Sequence, residues 1–295
     1  MKKLFYALMI VCVAMMASCQ KDPDPSNPDP SNPDPIPGPD PGSTVVTARL
    51  SAVFVEGVEY EEQSIDGGAT WTVEDTYPIN RYLAESYEWN GDRVRNFIVN
   101  FGWLNYGFEF QYNDAGQIAK AVMPGEVEVS YTYEGNLATK AIVMQNGVQN
   151  SVSDITYTNG KLTKLVMNQT NNRLTVLDFE WTGNNVTKIT RLKNGETDVY
   201  EMASYDNMDS PYYNQQFLLT YLLYNTGENI TCYSKNNITR MTINGNGLAT
   251  YEYTYNNKNL PVKQESVETT VPKVYGETLM TRSRYVRTRT YEYAE

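Results

Sequence analysis

The side chains best placed to run acid–base chemistry in this 295-residue chain are carboxylates. Glu126 and Glu128 stand two apart, which in a strand puts both on one face. Glu59, Glu61 and Glu62 precede Asp66. Two carboxylates flanking a cleft suffice to hydrolyse a glycosidic bond. Asp206-Asn207-Met208-Asp209 offers oxygen atoms of the kind Ca²⁺ takes, without the ligand count or spacing of a Ca²⁺ loop. Against these stands the total absence of histidine. There is no Ser-His-Asp triad, no Cys-His pair, no His-ligated zinc and no imidazole proton shuttle. No phosphate loop, dinucleotide glycine fingerprint, CxxC or serine nucleophile elbow is present either. With 35 acidic residues, chance pairs on solvated strand faces are expected. We therefore expect no catalytic residue, no metal and no cofactor, and a non-enzymatic protein.

Three cysteines remain to be placed. Lys2 and Lys3 precede an unbroken apolar run from Leu4 to Ala17, too short to span about 30 Å of hydrocarbon comfortably. The run ends in Met16-Ala17-Ser18-Cys19, which resembles the lipobox of bacterial lipoproteins. The resemblance implies removal of residues 1–18 and a diacylglycerol on the Cys19 sulfur. Cys12 would leave with the signal, so only Cys232 remains, with no histidine to activate it. A small apolar role in a strand suits Cys232. Gln20-Lys21-Asp22-Pro23-Asp24 is similar to the acidic export signal of Bacteroidetes surface lipoproteins, although prolines interrupt it. That implies the outer face of the outer membrane, with a periplasm-facing anchor as the alternative. No later segment is apolar enough to span as a helix, so the lipid is the expected membrane attachment.

Residues 19–43 form a tether. Nine of the 14 prolines lie in it, and Pro-Asp-Pro-Ser-Asn occurs twice in tandem. Such chain has nothing to bury and favours the extended polyproline helix, reaching up to about 70 Å. Residues 44–295 form one domain. The chain as a whole carries a formal charge of −11, which argues against nucleic acid as a partner.

The domain is repetitive. Five segments alternate aromatic and polar residues and then turn at Gly or Asn: Tyr87 to Gly91, Phe108 to Gly116, Tyr131 to Gly135, Ile155 to Gly160, and Phe179 to Gly183. A sixth, Tyr251 to Tyr255, turns through Asn256 to Asn259. The aligned glycines are 25, 19, 25 and 23 residues apart, which is two strands and two turns per unit. Alternation of this kind marks strands with one buried face, and Asn159-Gly160 is a strong two-residue hairpin turn. Simple pairing across it puts Tyr157 opposite Leu162 and Ile155 opposite Lys164. By the same rule Trp181 faces Val186, Phe179 faces Lys188 and Phe110 meets Lys120. The cations at 120, 140, 164, 188, 240 and 263 are then expected on the aromatic side, their stems covering rings.

Ser210-Pro211 and the apolar run from Tyr212 to Asn225 predict a helix with an N-cap, buried against the sheet as a plug. Thr44 to Tyr60 should supply the first strands and Arg289 to Tyr293 the last. The expected fold is all-β: antiparallel hairpin repeats forming roughly 14 strands in a curled sheet or barrel-like shell, with one short apolar helix on the concave side. The hairpins resemble the Tyr-Asp (YD/RHS-like) repeats of bacterial cell-surface proteins. Lipobox, hairpins and the insert Tyr205 to Pro211 together resemble a family of uncharacterised Bacteroidetes lipoproteins. That resemblance implies architecture and carries over no catalytic residue.

Three function classes follow. The first is a monomeric surface interaction or adhesion domain that reads protein partners through edges and loops. The second is a glycan-binding accessory of a nutrient-uptake system, which needs exposed rings. Trp89 and Trp181 obey the inward alternation, whereas Trp103, in a Gly-rich break, and Trp71, after Gly67-Gly68, are the candidate ligand contacts. The third is a glycoside hydrolase.

Overall fold

The computed structural model describes residues 49–100, 105–213, 215–224 and 233–294. It is an antiparallel all-β barrel closed by sixteen strands, with one short helix. In order the elements are β1 (Leu50–Ser64), β2 (Thr72–Asn90), β3 (Arg93–Asn100), β4 (Asn105–Tyr112), β5 (Ile118–Met123), β6 (Val127–Glu134), β7 (Leu137–Gln145), β8 (Val148–Thr158) and β9 (Lys161–Gln169). They continue with β10 (Leu174–Thr182), β11 (Asn185–Lys193), β12 (Glu196–Asp209), α1 (Phe217–Tyr224), β13 (Asn236–Ile243), β14 (Leu248–Tyr255), β15 (Pro261–Thr269), β16 (Lys273–Tyr275) and β17 (Leu279–Tyr293). From β1 to β15 each strand pairs with the next in sequence. Closure comes from β17, which pairs with β15 on one side and β1 on the other. The short β16 adds only to the end of β17. The turns at 91, 135, 159–160 and 183 therefore share one rim, and the β1–β2 connection lies at the other. Asn159 and Gly160 both take positive φ, 51° and 75°, as a primed hairpin turn requires.

Each of six hairpins carries a β-bulge in its return strand. Opposite Tyr133 stands Ala138, but opposite Thr132 stands Lys140, so Thr139 is extra. The same skip falls at Arg95, Ala119, Thr163, Thr187 and Val262. A bulge puts two residues opposite one and changes which face follows. Tyr157 does oppose Leu162 and Trp181 does oppose Val186. One pair further in, the expected register fails. Leu165 opposes Ile155, Ile189 opposes Phe179, and Ala121 opposes Phe110. The lysines pair instead with the polar face: Lys164 with Thr156, Lys188 with Glu180 and Lys120 with Gln111. The cations therefore stand outside the barrel among acids. Lys120 reaches Glu128 at 2.8 Å, Lys164 reaches Asp178 at 2.7 Å and Lys188 reaches Glu180 at 2.9 Å. The cations that do lie over rings here are others, Arg93 over Tyr112 and Lys161 over Trp181, each early in a return strand.

The inward face is apolar through most of the circumference. Val129, Leu165, Leu177, Ile189 and Met241 are fully buried. A ring of sixteen strands is too wide for its own side chains to fill. The same apolar cluster includes Phe217, Leu218, Tyr221, Leu222 and Leu223 of α1. Phe217 meets Phe97 at 5.0 Å and Tyr87 at 5.6 Å, Tyr224 meets Phe108 at 5.5 Å, and Thr220 shares a 2.7 Å hydrogen bond with Tyr131. α1 is shorter than the sequence suggests. It begins at Phe217, and Ser210 instead holds a turn, its carbonyl accepting from Tyr213 N at 3.1 Å. Asp209 closes β12 opposite Asn236, with Lys235 at 3.6 Å.

At the far rim β1, β2 and β17 run on past their neighbours as a tongue. Among the described residues, 72–84 of β2 pair with β1 alone. On one face of this tongue Glu62, only 6% exposed, takes Arg282 at 2.7 Å and Arg284 at 2.6 Å. Burial would raise the Glu62 carboxyl, but the hydrogen bonds from Arg284 and Arg282 outweigh it and hold it low.

Two outcomes follow in unfolding experiments. Leu165→Ala should destabilise the barrel by about 2–5 kcal/mol, because it empties a fully buried site. Lys164→Ala, one residue away but outward, should cost under about 1 kcal/mol. Chemical denaturation of both variants checks this. Glu62 has a lowered folded pKa, so its stabilisation is present above the ordinary value of 4.5 and is lost as pH falls through the folded value. Glu62→Gln should therefore lower stability by about 1–3 kcal/mol at neutral pH and converge with the wild type in acid. Thermal unfolding followed across pH reads both effects.

Candidate functional site

The rim that carries the aromatic turns is stitched by the rings themselves. Four of the six rings beside the bulges lend a polar atom to a backbone carbonyl of a neighbouring strand. Trp89 Nε1 donates to Leu50 O at 2.6 Å, Tyr112 to Val94 O at 2.7 Å, Tyr133 to Ile118 O at 2.9 Å and Trp181 Nε1 to Leu162 O at 2.8 Å. Tyr253 and Tyr293 repeat the contact on Ile238 O and Pro261 O. Each bond contributes about 1 kcal/mol and satisfies a polar atom that burial would otherwise strand.

Inside this rim, between β6–β11 and the connection that leads to α1, lies a cavity of about 160 Å³. One wall is Tyr131, Tyr133, Tyr157 and Trp181. The opposite wall is Tyr212 and Tyr213, with Leu218 and Leu219 of α1. Four amide side chains also border it: Asn136 and Asn184 from the turns, and Gln215 and Gln216 from the segment before the helix. A buried water takes about 10–15 Å³ by the same measure, so the space equals roughly ten to fifteen waters. A ring-sized molecule fits; a folded partner does not.

The lining is electrically neutral but for one cation. None of the described residues bordering the cavity is an acid. Burial pushes the Tyr157 hydroxyl up to about 12, and raises Tyr131 and Tyr133 as well, so all three stay protonated near neutral pH. The one cation, Lys161, lies over the Trp181 ring at 5.8 Å and donates to Gly183 O. The lining residues described thus provide ring faces and amides.

The residues singled out from sequence lie elsewhere. Trp71 sits at the opposite rim, half-buried. Its Nε1 donates to Gly68 O at 3.0 Å and Arg282 covers one ring face at 4.0 Å. Trp103, Cys19 and Cys232 lie outside the described residues. Glu128 stands outward on Lys120, while Glu126 is in the preceding turn, so the pair faces no cleft. Glu59 and Glu61 oppose Tyr285 and Ser283 on the tongue face away from Glu62. Asp66 clamps the β1–β2 connection, accepting from Ser64 Oγ at 2.6 Å and Thr70 N at 2.9 Å. Asp206 accepts from Met208 N at 3.0 Å, Asn237 N at 3.2 Å and the Tyr255 hydroxyl. Among the described residues no group of three His, Cys, Asp or Glu could hold a metal ion. Sequence reasoning missed Trp181, Tyr133 and Tyr157 as site residues because they obey the inward alternation. Their position next to a turn is the signal that sets them apart, since an inward ring at a rim borders an opening.

No helix among the described residues is long and apolar enough to cross a membrane. No protein-family model matches the chain, and no curated protein matches it. Among solved structures it is similar to a porin-like protein from Bacteroides uniformis, at 13% identity and a TM-score of 0.53, over 83% of this chain and 96% of that one. What the two share is the barrel.

Proposed function

We propose that the chain is a non-enzymatic lipoprotein that holds a closed barrel outside the outer membrane, anchored by Cys19 and presenting a surface to partners. The observation that carries this is the polarity of the wall. A membrane-spanning barrel is apolar outside and polar within. Here Lys120, Lys140, Lys164 and Lys188 form a belt of ion pairs on the outer face, at distances of 2.7–3.8 Å to their acids. Such a belt in hydrocarbon would cost several kcal/mol. The wall suits water, and the lipid suits attachment. α1 serves as the plug that makes a dry interior in so wide a ring, and the hairpins fit the Tyr-Asp repeat resemblance.

Orientation supports a display role. Arg49, where the tether meets the barrel, donates to Gly91 O at 3.1 Å, at the aromatic rim. The tongue at the other rim then points away from the membrane. Its free β2 edge can accept an extended strand from a partner, with Val73 and Tyr77 exposed beside it. Pro78, Glu74 and Asp75 interrupt that edge and discourage self-pairing.

Fractionation tests the reading. Wild-type protein should sediment with outer membranes, need detergent for release, and be clipped within 20–43 by protease added to intact cells. Cys19→Ala should move the barrel to the soluble fraction. A Cys19→Ala protein that stays with the membrane until detergent is added would contradict the anchor.

A further inference from the structure

We infer that the cavity at the aromatic rim is a binding site for a neutral sugar ring, such as one hexose or the terminal residue of a glycan. This goes beyond display at the surface and does not rest on it.

Three features select the ligand class. First, the size is modest: space for roughly ten to fifteen waters admits a six-membered ring with its substituents and excludes a folded partner. Second, the lining residues described include one cation, Lys161, and no acid. The hydroxyls of Tyr131, Tyr133 and Tyr157 stay protonated. Lys161 already donates to the Gly183 carbonyl and lies over the Trp181 ring, so an anionic ligand would have to compete for the one cation. Ionic ligands would have to shed water with little return. Third, the lining divides by chemistry in the way a pyranose does. A sugar has a C–H face, which packs on aromatic rings, and a rim of hydroxyls, each both donor and acceptor. The cavity has Tyr133, Tyr157 and Trp181 on one wall, and Asn136, Asn184 and Gln216 at its border. Amide side chains carry donors and an acceptor together, which matches hydroxyls better than any one-way group.

The rings are also held ready. Tyr133 and Trp181 give their own polar atoms to Ile118 O and Leu162 O, so their faces are fixed before any ligand arrives. A preorganised wall reduces the ordering cost of binding. A purely apolar ligand would suit the rings and Leu218 but has no hydroxyl to answer the amides at the border.

Saturation-transfer difference NMR on the purified full-length protein provides the test. The probes are glucose, galactose, mannose and N-acetylglucosamine, with glucuronate as the charged control and cyclohexanol as the apolar one. At least one neutral sugar should receive saturation, strongest at its ring C–H protons, and glucuronate should not. The double variant Asn136→Ala/Gln216→Ala changes two exposed side chains, with folding checked by near-UV circular dichroism. It should weaken sugar binding by about tenfold, through two lost hydrogen bonds. Tyr157→Leu should weaken it as well, with folding checked by near-UV circular dichroism. Absence of binding by all four neutral sugars would overturn the inference. So would binding unchanged in the double variant, or cyclohexanol binding as tightly as the best sugar. None of these results would touch the fractionation outcome for Cys19→Ala, so the two readings fail separately.

Discussion

One extra residue per hairpin decides the character of this barrel. The bulges at Arg95, Ala119, Thr139, Thr163, Thr187 and Val262 each sit beside an aromatic residue one step from the turn. Without them, each lysine of the return strand would point inward against Phe110, Ile155 or Phe179. With them, Ala121, Leu165 and Ile189 take those places and the lysines meet acids outside. An apolar inward face and a water-compatible wall both follow from that single insertion. The bulge also increases local twist, as a closed barrel requires of its rim.

The interior then sets a filling problem that strands alone do not solve. A sixteen-strand ring can remain open, as in channels, or it can be plugged. This chain puts a largely apolar helix into the same cluster as the inward strand residues. The fill is complete near Phe97, Phe108 and Leu222 and incomplete near Tyr157 and Trp181. The cavity is what remains between a helix that begins at Phe217 and the aromatic rim. Site and core are thus one construction, and the residues that stiffen the rim also line the opening.

Much of this was legible in the sequence. Aromatic–polar alternation marks the strands, and Asn159-Gly160 marks its turn, because both are consequences of local conformation. The register beyond the turn was not legible. The extra residues are Arg, Ala, Thr and Val, with no common chemistry to announce a bulge, so simple pairing misplaced Lys120, Lys164 and Lys188. The apolar run before Tyr224 announced a buried helix, but its start did not follow Ser210-Pro211. Ser210 meets Lys235 and Tyr213 through its backbone, a tertiary arrangement that overrides the local capping preference. The cavity was illegible for a different reason. Trp181 and Tyr157 read as core by alternation, and only the closing of the ring puts them at an opening. Trp71, chosen for its irregular surroundings, is tied instead to Gly68 and Arg282.

The central claim is that the outer wall belongs in water. Site-directed spin labelling tests it most directly. Nitroxides placed singly at Lys140, Asp154 and Lys164 of the membrane-attached protein would be compared for collision with a water-soluble nickel chelate and with oxygen. The account predicts high chelate access and low oxygen enrichment at all three outward positions. Labels that meet oxygen and exclude the chelate, in a band around the wall, would mean the barrel sits in lipid and would contradict it.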